Sequence, residues 1–472
     1  MIHDEIKQQI VDLFSHPNAD ERRQAAEKLS GAQSVIVSSA LALALQDKDK
    51  GVRDSAARAL LDMKSKSAAF AVAEYLVDSS FVTRNLASNL LLQFGEFSVE
   101  PLLFYAIHPN HDVRKLAIDT LGLIGDPQAI PTLSTLANDL DDNVILAVVE
   151  AFGNIKDPSV VPILAMIFST YEYSRVVVVE AMGKIGHESA SPFLLSQLND
   201  MVDPEGDEIL VNFAIVEALA ATGDPNVLKA IVEHCKSSSG KMRNIYLFSL
   251  VCIAERYEVL LSDFSELVGY FKDALQDDDT RIVIASAKAL LSMMDSEVES
   301  HLLNLIGRND QLDQLILNNL QGGGRSFVAL AKKYPAFQRD QKKTAIDFMM
   351  PQLNELAAAD DEEIQQARAD LFAQFVGEWI DSDEEMRTVI IDALFYLDEE
   401  RAVSYFIDLV GDSYFWLRMR VLELLAQISH YRSIDVLSHF VNDDDEMVRS
   451  FITSVLLSRG ILSDASVQQG EQ

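Results

Sequence analysis

The chain has 472 residues and a formal net charge of −34, because 73 acidic residues outnumber 39 lysines and arginines. Hydrophobic residues make up 49% of the chain, which is enough for a sizeable core and excludes a disordered acidic protein. The negative charge argues against a nucleic-acid-coating protein and against a binder of anionic membrane surfaces, because both need an excess of lysine and arginine.

The amino-terminal residues give no sign of a targeting or membrane segment. Asp4, Lys7 and Asp12 interrupt the first fifteen residues, which therefore lack the apolar core of a secretory signal. No stretch of the sequence approaches the run of about eighteen apolar residues that a membrane span requires. Two cysteines, Cys235 and Cys252, make neither a disulfide framework nor a zinc site. We therefore expect a cytoplasmic protein.

The strongest feature of the sequence is an internal repeat. An arginine recurs at intervals of 30 or 31 residues, each time near the start of an apolar helical run. The arginines of this series include Arg53, Arg84 and Arg114 in the amino-terminal part and Arg387, Arg418 and Arg449 in the carboxyl-terminal part. Such agreement at both ends of the chain predicts one structural unit repeated in tandem.

One unit shows the predicted elements. Apolar residues recur at helical spacing from Val113 to Ile124, and Asp112 stands where a helix is capped. Gly125 supplies a left-handed residue to end this helix. A second helical run, from 130 to 140, has Pro131 in its first turn. Each unit is thus predicted to be two short antiparallel helices, which must stack on their neighbours to bury both apolar faces.

The Val-Arg opening, the Ala-x-x-Ala-Leu helix and the Gly-Asp-Pro turn resemble the short HEAT repeats named after phycobilisome lyases. The resemblance is close in residues 16–225 and 380–457 and looser in residues 226–379. It implies an all-α fold, a right-handed α-solenoid of about 14–15 two-helix HEAT-like repeats whose second helices line a concave face. The motif says little about function, because this fold hosts scaffolds, enzymes and adaptors.

A run of glycines, Gly322 to Gly324, is the strongest helix breaker in the chain. It predicts an amino-terminal solenoid of residues 1–321, a Gly-rich and basic hinge segment of residues 322–343, and a carboxyl-terminal solenoid of residues 344–472. Residues 332–343 are basic with interleaved aromatics. For these residues we favour a solvated loop with two buried aromatics over an anion site.

No motif in the sequence indicates catalysis, a metal or a cofactor. Deoxyhypusine hydroxylase, which has repeats of this kind, binds iron through several His-Glu pairs at repeat spacing. Only His187-Glu188 forms such a pair among the nine histidines of this chain. No nucleophile motif is recognisable. We therefore predict a protein that is not an enzyme, and we keep an accessory subunit of a modifying enzyme, such as a bilin-lyase partner, as the alternative by fold analogy.

An acidic residue recurs five positions after the repeat position in successive units. The series is Asp119, Glu150, Glu180 and Glu217, followed near the carboxyl terminus by Asp392 and Glu423. One interpretation is a polar ladder in which the arginine of one unit meets the acid of its neighbour. The other is an acidic track that binds a basic segment of a protein partner. Because Ile145 and Asn212 replace the arginine in two units, Glu150 and Glu217 are the acids freer to bind.

Three consecutive aromatic residues, Tyr414, Phe415 and Trp416, fall where other units have polar turn residues. They are predicted either to insulate the end of the core or to act as binding hot spots. Together with the four acids from Asp119 to Glu217, they are the candidate partner-binding residues. The sequence thus predicts a non-catalytic protein-interaction scaffold with a largely acidic surface, whose partner is a protein and neither nucleic acid nor membrane.

Overall fold

A computed structural model describes residues 2–32, 34–200, 207–293, 296–319, 324–379, 382–409, 415–428 and 431–461. Across these ranges every regular element is a helix, so the all-α prediction is confirmed. The helices pack in tandem along the chain, as expected of an α-solenoid. None of the helices in these ranges combines the length and the apolar character that crossing a membrane requires.

The chain forms two compact units. Unit 1 comprises residues 1–264 and 276–286, and unit 2 comprises residues 265–275 and 287–472. Of the predicted glycine hinge, Gly322 and Gly323 lie outside the described residues, and Gly324 begins a helix. A hinge at residues 322–343 therefore stays a prediction.

Unit 1 is built from α1 to α16, most of them separated by short turns or single 3-10 turns. The helices are α1 (Ile2–Ser15), α2 (Ala19–Leu29), α3 (Val35–Leu43), α4 (Lys50–Met63), α5 (Lys66–Ala73), α6 (Phe81–Phe94), α7 (Val99–Ala106), α8 (His111–Ile124), α9 (Ile130–Thr135), α10 (Asp142–Ile155), α11 (Val161–Thr170), α12 (Arg175–Ile185), α13 (Ser191–Asp200), α14 (Asp207–Thr222), α15 (Leu228–Ser237) and α16 (Gly240–Arg256).

Unit 2 contains α17 and α19 to α28, and α18 contributes its first residues to unit 1 and its last to unit 2. These helices are α17 (Val268–Ala274), α18 (Thr280–Leu291), α19 (Ser296–Leu303), α20 (Asp310–Asn319), α21 (Gly324–Lys333), α22 (Arg339–Glu355), α23 (Glu362–Glu378), α24 (Glu384–Leu397), α25 (Glu399–Leu409), α26 (Phe415–Gln427), α27 (Tyr431–His439) and α28 (Glu446–Ser458).

The boundaries of α8 show how the sequence sets the helix ends. Asn110, rather than the predicted Asp112, is the N-cap, and its side chain accepts a hydrogen bond from the Asp112 amide. Gly125 ends α8 in the left-handed conformation at φ 74°, as predicted. Asp126 then caps the 3-10 turn that follows, where Pro127 needs no amide hydrogen.

The helical hairpin has a different phase from the predicted one. The helix that carries the repeat arginine packs closely on the short helix before it, as α8 does on α7 and α16 does on α15, and much less on the helix after it. A local reason is that Arg114 donates to the carbonyls of His108 and Pro109 in the preceding turn and fastens that turn to α8. The even-numbered helix is therefore the second helix of each hairpin in unit 1.

The even-numbered helices also pack on one another, α8 on α10, α10 on α12, α12 on α14 and α14 on α16. Small residues allow this close approach. A Cβ atom on Gly122 would lie 2.7 Å from the Ala151 Cα, and one on Gly153 would lie 3.1 Å from the Ala181 Cα. The even-numbered helices α8 to α16 thus form one layer, in which equivalent positions of successive repeats lie on neighbouring helices. This layer carries the candidate site.

Candidate functional site

We call Asp119, Glu150, Glu180 and Glu217 the acidic track, because the structure places them on α8, α10, α12 and α14, which are consecutive helices of one layer. Glu150 and Glu180 are exposed. Within the described part of the chain, neither of these two carboxylates has a hydrogen bond or an ion pair. They are therefore charges that a partner could pair.

The two end members of the acidic track are already paired. Asp119 is half-buried and lies 2.8 Å from the Lys115 ammonium one turn earlier on α8. The Glu217 carboxylate lies 2.6 Å from the guanidinium of Arg281 on α18. Replacing arginine by Asn212 at the repeat position of α14 therefore does not leave Glu217 unpaired.

Arg114, a repeat arginine, binds turn residues instead of track acids. Besides the two carbonyls of its own turn, Arg114 donates from Nη2 to Asp139, 2.6 Å away, in the turn before α10. Arg22 makes the equivalent pair with Asp47 in the turn before α4. At Arg22 and Arg114 the polar contact between repeats therefore runs to a turn aspartate 25 residues after the arginine, and the predicted pairing with the acid of the neighbouring unit does not form at Arg114.

Arg281, near the start of α18, does reach the acidic track, and it does so across an intervening helix. Its guanidinium lies 5.4 Å from the ring centroid of Phe248 on α16 and also bonds Asp279 at 2.8 Å. Hydrogen bonds to Asp279 and then to Glu217 raise the pKa of Arg281, so it stays protonated. Phe248 itself stands five residues after Arg243, at the position that acids hold on α8 to α14.

A groove of about 750 Å³ lies beside these residues, lined by α12, α14, α16 and Arg281. Its apolar lining includes Val176, Leu210, Phe213 and Phe248, together with small residues of α12 and α14. Its charged lining is Glu180, Lys184, Glu217 and Arg281. Sequence reasoning did not identify this groove, because periodicity places residues on helix faces and does not show where neighbouring faces leave space.

Of the three consecutive aromatic residues, the structure describes Phe415 and Trp416. Tyr414 lies outside the described residues. Phe415 begins α26 and meets Trp416 edge to face, with their ring centroids 5.2 Å apart. Trp416 is 65% exposed, so most of its indole is available to a partner.

Four basic residues of the segment 332–343 pair with acids of residues 353–400, all within unit 2. Lys332 bonds Glu363 at 2.5 Å, Lys342 bonds Glu378 at 2.5 Å, and two further pairs are Arg339–Asp383 and Lys343–Glu385. Tyr334 is buried and donates its hydroxyl to Glu378 at 3.0 Å. Burial and the Glu378 charge raise the pKa of the Tyr334 phenol. The loop prediction is wrong for most of this segment, which contains the end of α21, a 3-10 turn and the beginning of α22. Tyr334 and Phe337 are buried as expected.

At Asp392 and Glu423 the carboxylates are also paired. Both bond Arg420, at 2.7 Å and 2.8 Å. No group of three or more histidine, cysteine or acidic side chains in the described ranges is placed to hold a metal ion. The unpaired carboxylates and the groove of unit 1, together with Trp416 of unit 2, are therefore the surfaces on which a binding function can be built.

Comparisons with known proteins agree with this architecture. A family profile for HEAT repeats matches residues 99–176 and 368–456, one segment in each unit. Comparison with curated protein sequences gave no match. The crystal structure of Kap121p matches with a TM-score of 0.51 and 11% identity over 93% of this chain and 55% of that chain. This chain therefore spans about half the length of Kap121p, and at this identity the likeness shows the fold alone.

A second solved structure, the Kap95–Nup1 complex, matches with a TM-score of 0.45 and 11% identity over 98% of this chain and 78% of that chain. A score this low adds nothing to the fold assignment. The family profile and the Kap121p structure together identify a tandem array of HEAT repeats.

Proposed function

We propose that this HEAT-repeat protein is a non-catalytic scaffold or adaptor that binds a protein partner through the acidic track of unit 1. The observation that carries the proposal is the pair Glu150 and Glu180. They are exposed carboxylates at equivalent positions of two adjacent helices, and neither has a bonding partner within the described residues.

The spacing of the acidic track suits a basic segment of the partner. Packed helices lie about 8–10 Å apart, so carboxylates on adjacent helices recur at roughly that interval. An extended chain advances about 3.3 Å per residue, so lysines or arginines three residues apart match the interval. The net charge of −34 would further accelerate the encounter with a cationic partner.

The finer features of the proposal have separate support. The 30- and 31-residue spacing of the arginines supports short HEAT repeats of the type named after phycobilisome lyases. The same resemblance keeps an accessory subunit of a modifying enzyme as the second candidate function. We further propose a cytoplasmic location. A visible absorption band, or stoichiometric metal, in protein purified from its native cell would favour the second candidate.

The experiment that tests the proposal is a charge reversal of the track. We would replace Glu150 and Glu180 with lysine and recover partners from native cells by affinity purification and mass spectrometry. The matched control reverses two exposed acids outside the even-numbered helices, Glu74 and Glu96.

The proposal expects the track variant to lose at least about tenfold in partner recovery, which corresponds to about 1.4 kcal/mol, while the control variant keeps its partners. It also expects the melting temperatures of both variants to stay close to that of the wild type. Equal recovery by all three proteins would refute the proposal. A large loss of stability in the track variant alone would instead assign the acids a structural role.

A further inference from the structure

The groove between α12, α14 and α16 has a largely apolar lining beside the carboxylates of the acidic track. Its volume of about 750 Å³ is within the range of about 300–1,000 Å³ that is typical of ligand pockets. Gly183, Ala214 and Ala218 line the groove with small side chains where α12 meets α14. Leu210 is 61% exposed at one side of this space, and Phe213 is half-buried. A bulky apolar side chain can therefore enter the groove and lose contact with water.

Arg281 shows how this surface holds a cation. Its guanidinium is stabilised by the Glu217 carboxylate at 2.6 Å and by the face of Phe248 at 5.4 Å. Glu180 places an equivalent carboxylate on the neighbouring helix α12 and lines the same groove. Within the described residues this carboxylate forms no ion pair. Lys184 lies one turn further along α12 and makes the charge of the groove mixed instead of uniformly acidic.

We propose that this groove is the docking site for a peptide segment of a protein partner, in which a leucine or aromatic side chain enters the cavity and a neighbouring lysine or arginine pairs with Glu180. The inference rests on the proposed function and adds to it an apolar anchor. The argument for this occupant is charge complementarity next to an apolar groove. The Glu180 carboxylate is unpaired within the described residues, so a cation of the peptide can bind it while the neighbouring apolar side chain fills the groove. Lys184 then favours a segment that does not carry a long run of positive charge.

The test uses a phage-displayed library of random dodecapeptides, selected on the full chain. Selected peptides are then synthesised with a fluorophore, and their affinity is measured by fluorescence polarisation. The groove-filling variant is Ala214→Leu, because Ala214 lines the cavity and is half-buried. The control is Ala57→Leu, since Ala57 is likewise a half-buried alanine of an even-numbered helix but lies on α4, outside the groove lining. Circular dichroism and melting temperature verify the fold of both variants.

The proposal expects enriched peptides that carry a leucine or aromatic residue within about four residues of a lysine or arginine, a span that covers roughly 13 Å in an extended chain. Ala214→Leu and Glu180→Gln should each weaken their binding at least about tenfold, and Ala57→Leu should change it less than about twofold. Failure to enrich such peptides, or equal binding by Ala214→Leu and wild type, would overturn the proposal.

Two further outcomes separate this inference from the proposed function. Peptides that lose affinity on reversal of the acidic track but not on filling the groove would refute the apolar anchor and leave the scaffold proposal standing. Peptides indifferent to both changes would refute both. A wild-type dimer, measured by light scattering, that Ala214→Leu converts to a monomer would show that a second copy of the chain is the occupant, and would overturn the proposal for a partner peptide.

Discussion

Arg22 and Asp47, 25 residues apart in the chain, form a two-point ion pair that joins one inter-helix turn to the next. The Arg22 Nε donates to one carboxylate oxygen at 2.8 Å and Nη2 donates to the other at 2.9 Å. Both side chains are largely shielded from water, with 6% and 14% exposure. Arg114 and Asp139 repeat the relationship at the same spacing. At these two positions the arginine thus links successive inter-helix turns of the fold.

Removing one partner of this buried pair should lower the free energy of unfolding. Arg22→Ala leaves the Asp47 carboxylate without its bidentate donor and also frees two backbone carbonyls of the preceding turn. We expect a loss of about 3 kcal/mol in the free energy of unfolding, measured by urea denaturation. The control is Arg23→Ala, since Arg23 is half-exposed and its pairs with Asp20 and Glu27 are 3.4 Å and 3.8 Å long. That variant should lose less than about 1 kcal/mol, and equal losses would contradict the account.

The same pair predicts a pH dependence. Hydrogen bonds from Arg22 hold the pKa of Asp47 below its ordinary value. A carboxyl group whose pKa is lower in the folded state contributes its full stability above the unfolded pKa, about 3.9, and loses it as the pH falls through the folded pKa. The stability difference between wild type and Asp47→Asn should therefore be constant from about pH 7 to pH 5 and shrink below about pH 4. A difference that grows on acidification would show that the sign is wrong.

Close packing of α8 on α10 predicts an unusual effect of alanine. Replacing a helical glycine with alanine normally stabilises a helix by about 1 kcal/mol. At Gly122 the new Cβ would lie 2.7 Å from the Ala151 Cα, so the two helices must separate. We expect Gly122→Ala to lower the free energy of unfolding by about 1–2 kcal/mol. Gly377→Ala, at a helical position with open space around it, serves as the comparison and should be neutral or stabilising. A stabilised Gly122→Ala would disprove the close contact.

The exposed indole of unit 2 gives a test that separates binding from stability. Trp416 is 65% exposed, so Trp416→Ala should change the free energy of unfolding by less than about 0.5 kcal/mol. If Trp416 is a hot spot, partner recovery in affinity purification should fall at least about tenfold. Leu140→Ala is the control, because Leu140 is a fully exposed apolar residue of unit 1. Unchanged recovery with Trp416→Ala would remove this residue from the binding surface.

Much of the fold could be predicted from local pattern. Apolar spacing and the glycine at 125 predicted α8 and its end, because these are properties of one helix and its cap. The pairing of Arg281 with Glu217 could not be predicted, because residues 64 positions apart meet only after an intervening helix has been stacked between them. The hairpin phase was missed for a related reason, since the period of a repeat does not say at which turn a unit begins.

The acidic track shows the same limit at the candidate site. Its four positions follow from the period, and the structure places them on consecutive helices of one layer. Which of these acids are free was not predictable, since Asp119 is paired by a lysine of its own helix and Glu217 by a distant arginine. The pairing state of each carboxylate depends on tertiary contacts that a single repeat does not contain.

Hydrogen–deuterium exchange on the full chain, with and without a peptide selected on it, tests the central claim most directly. The account predicts that binding slows exchange in α12 and α14, which carry Glu180, Glu217 and most of the groove lining. It predicts no comparable change in the odd-numbered helices α11 and α13. Protection confined to those odd-numbered helices, with α12 and α14 unchanged, would contradict the claim that the acidic track and its groove bind the partner.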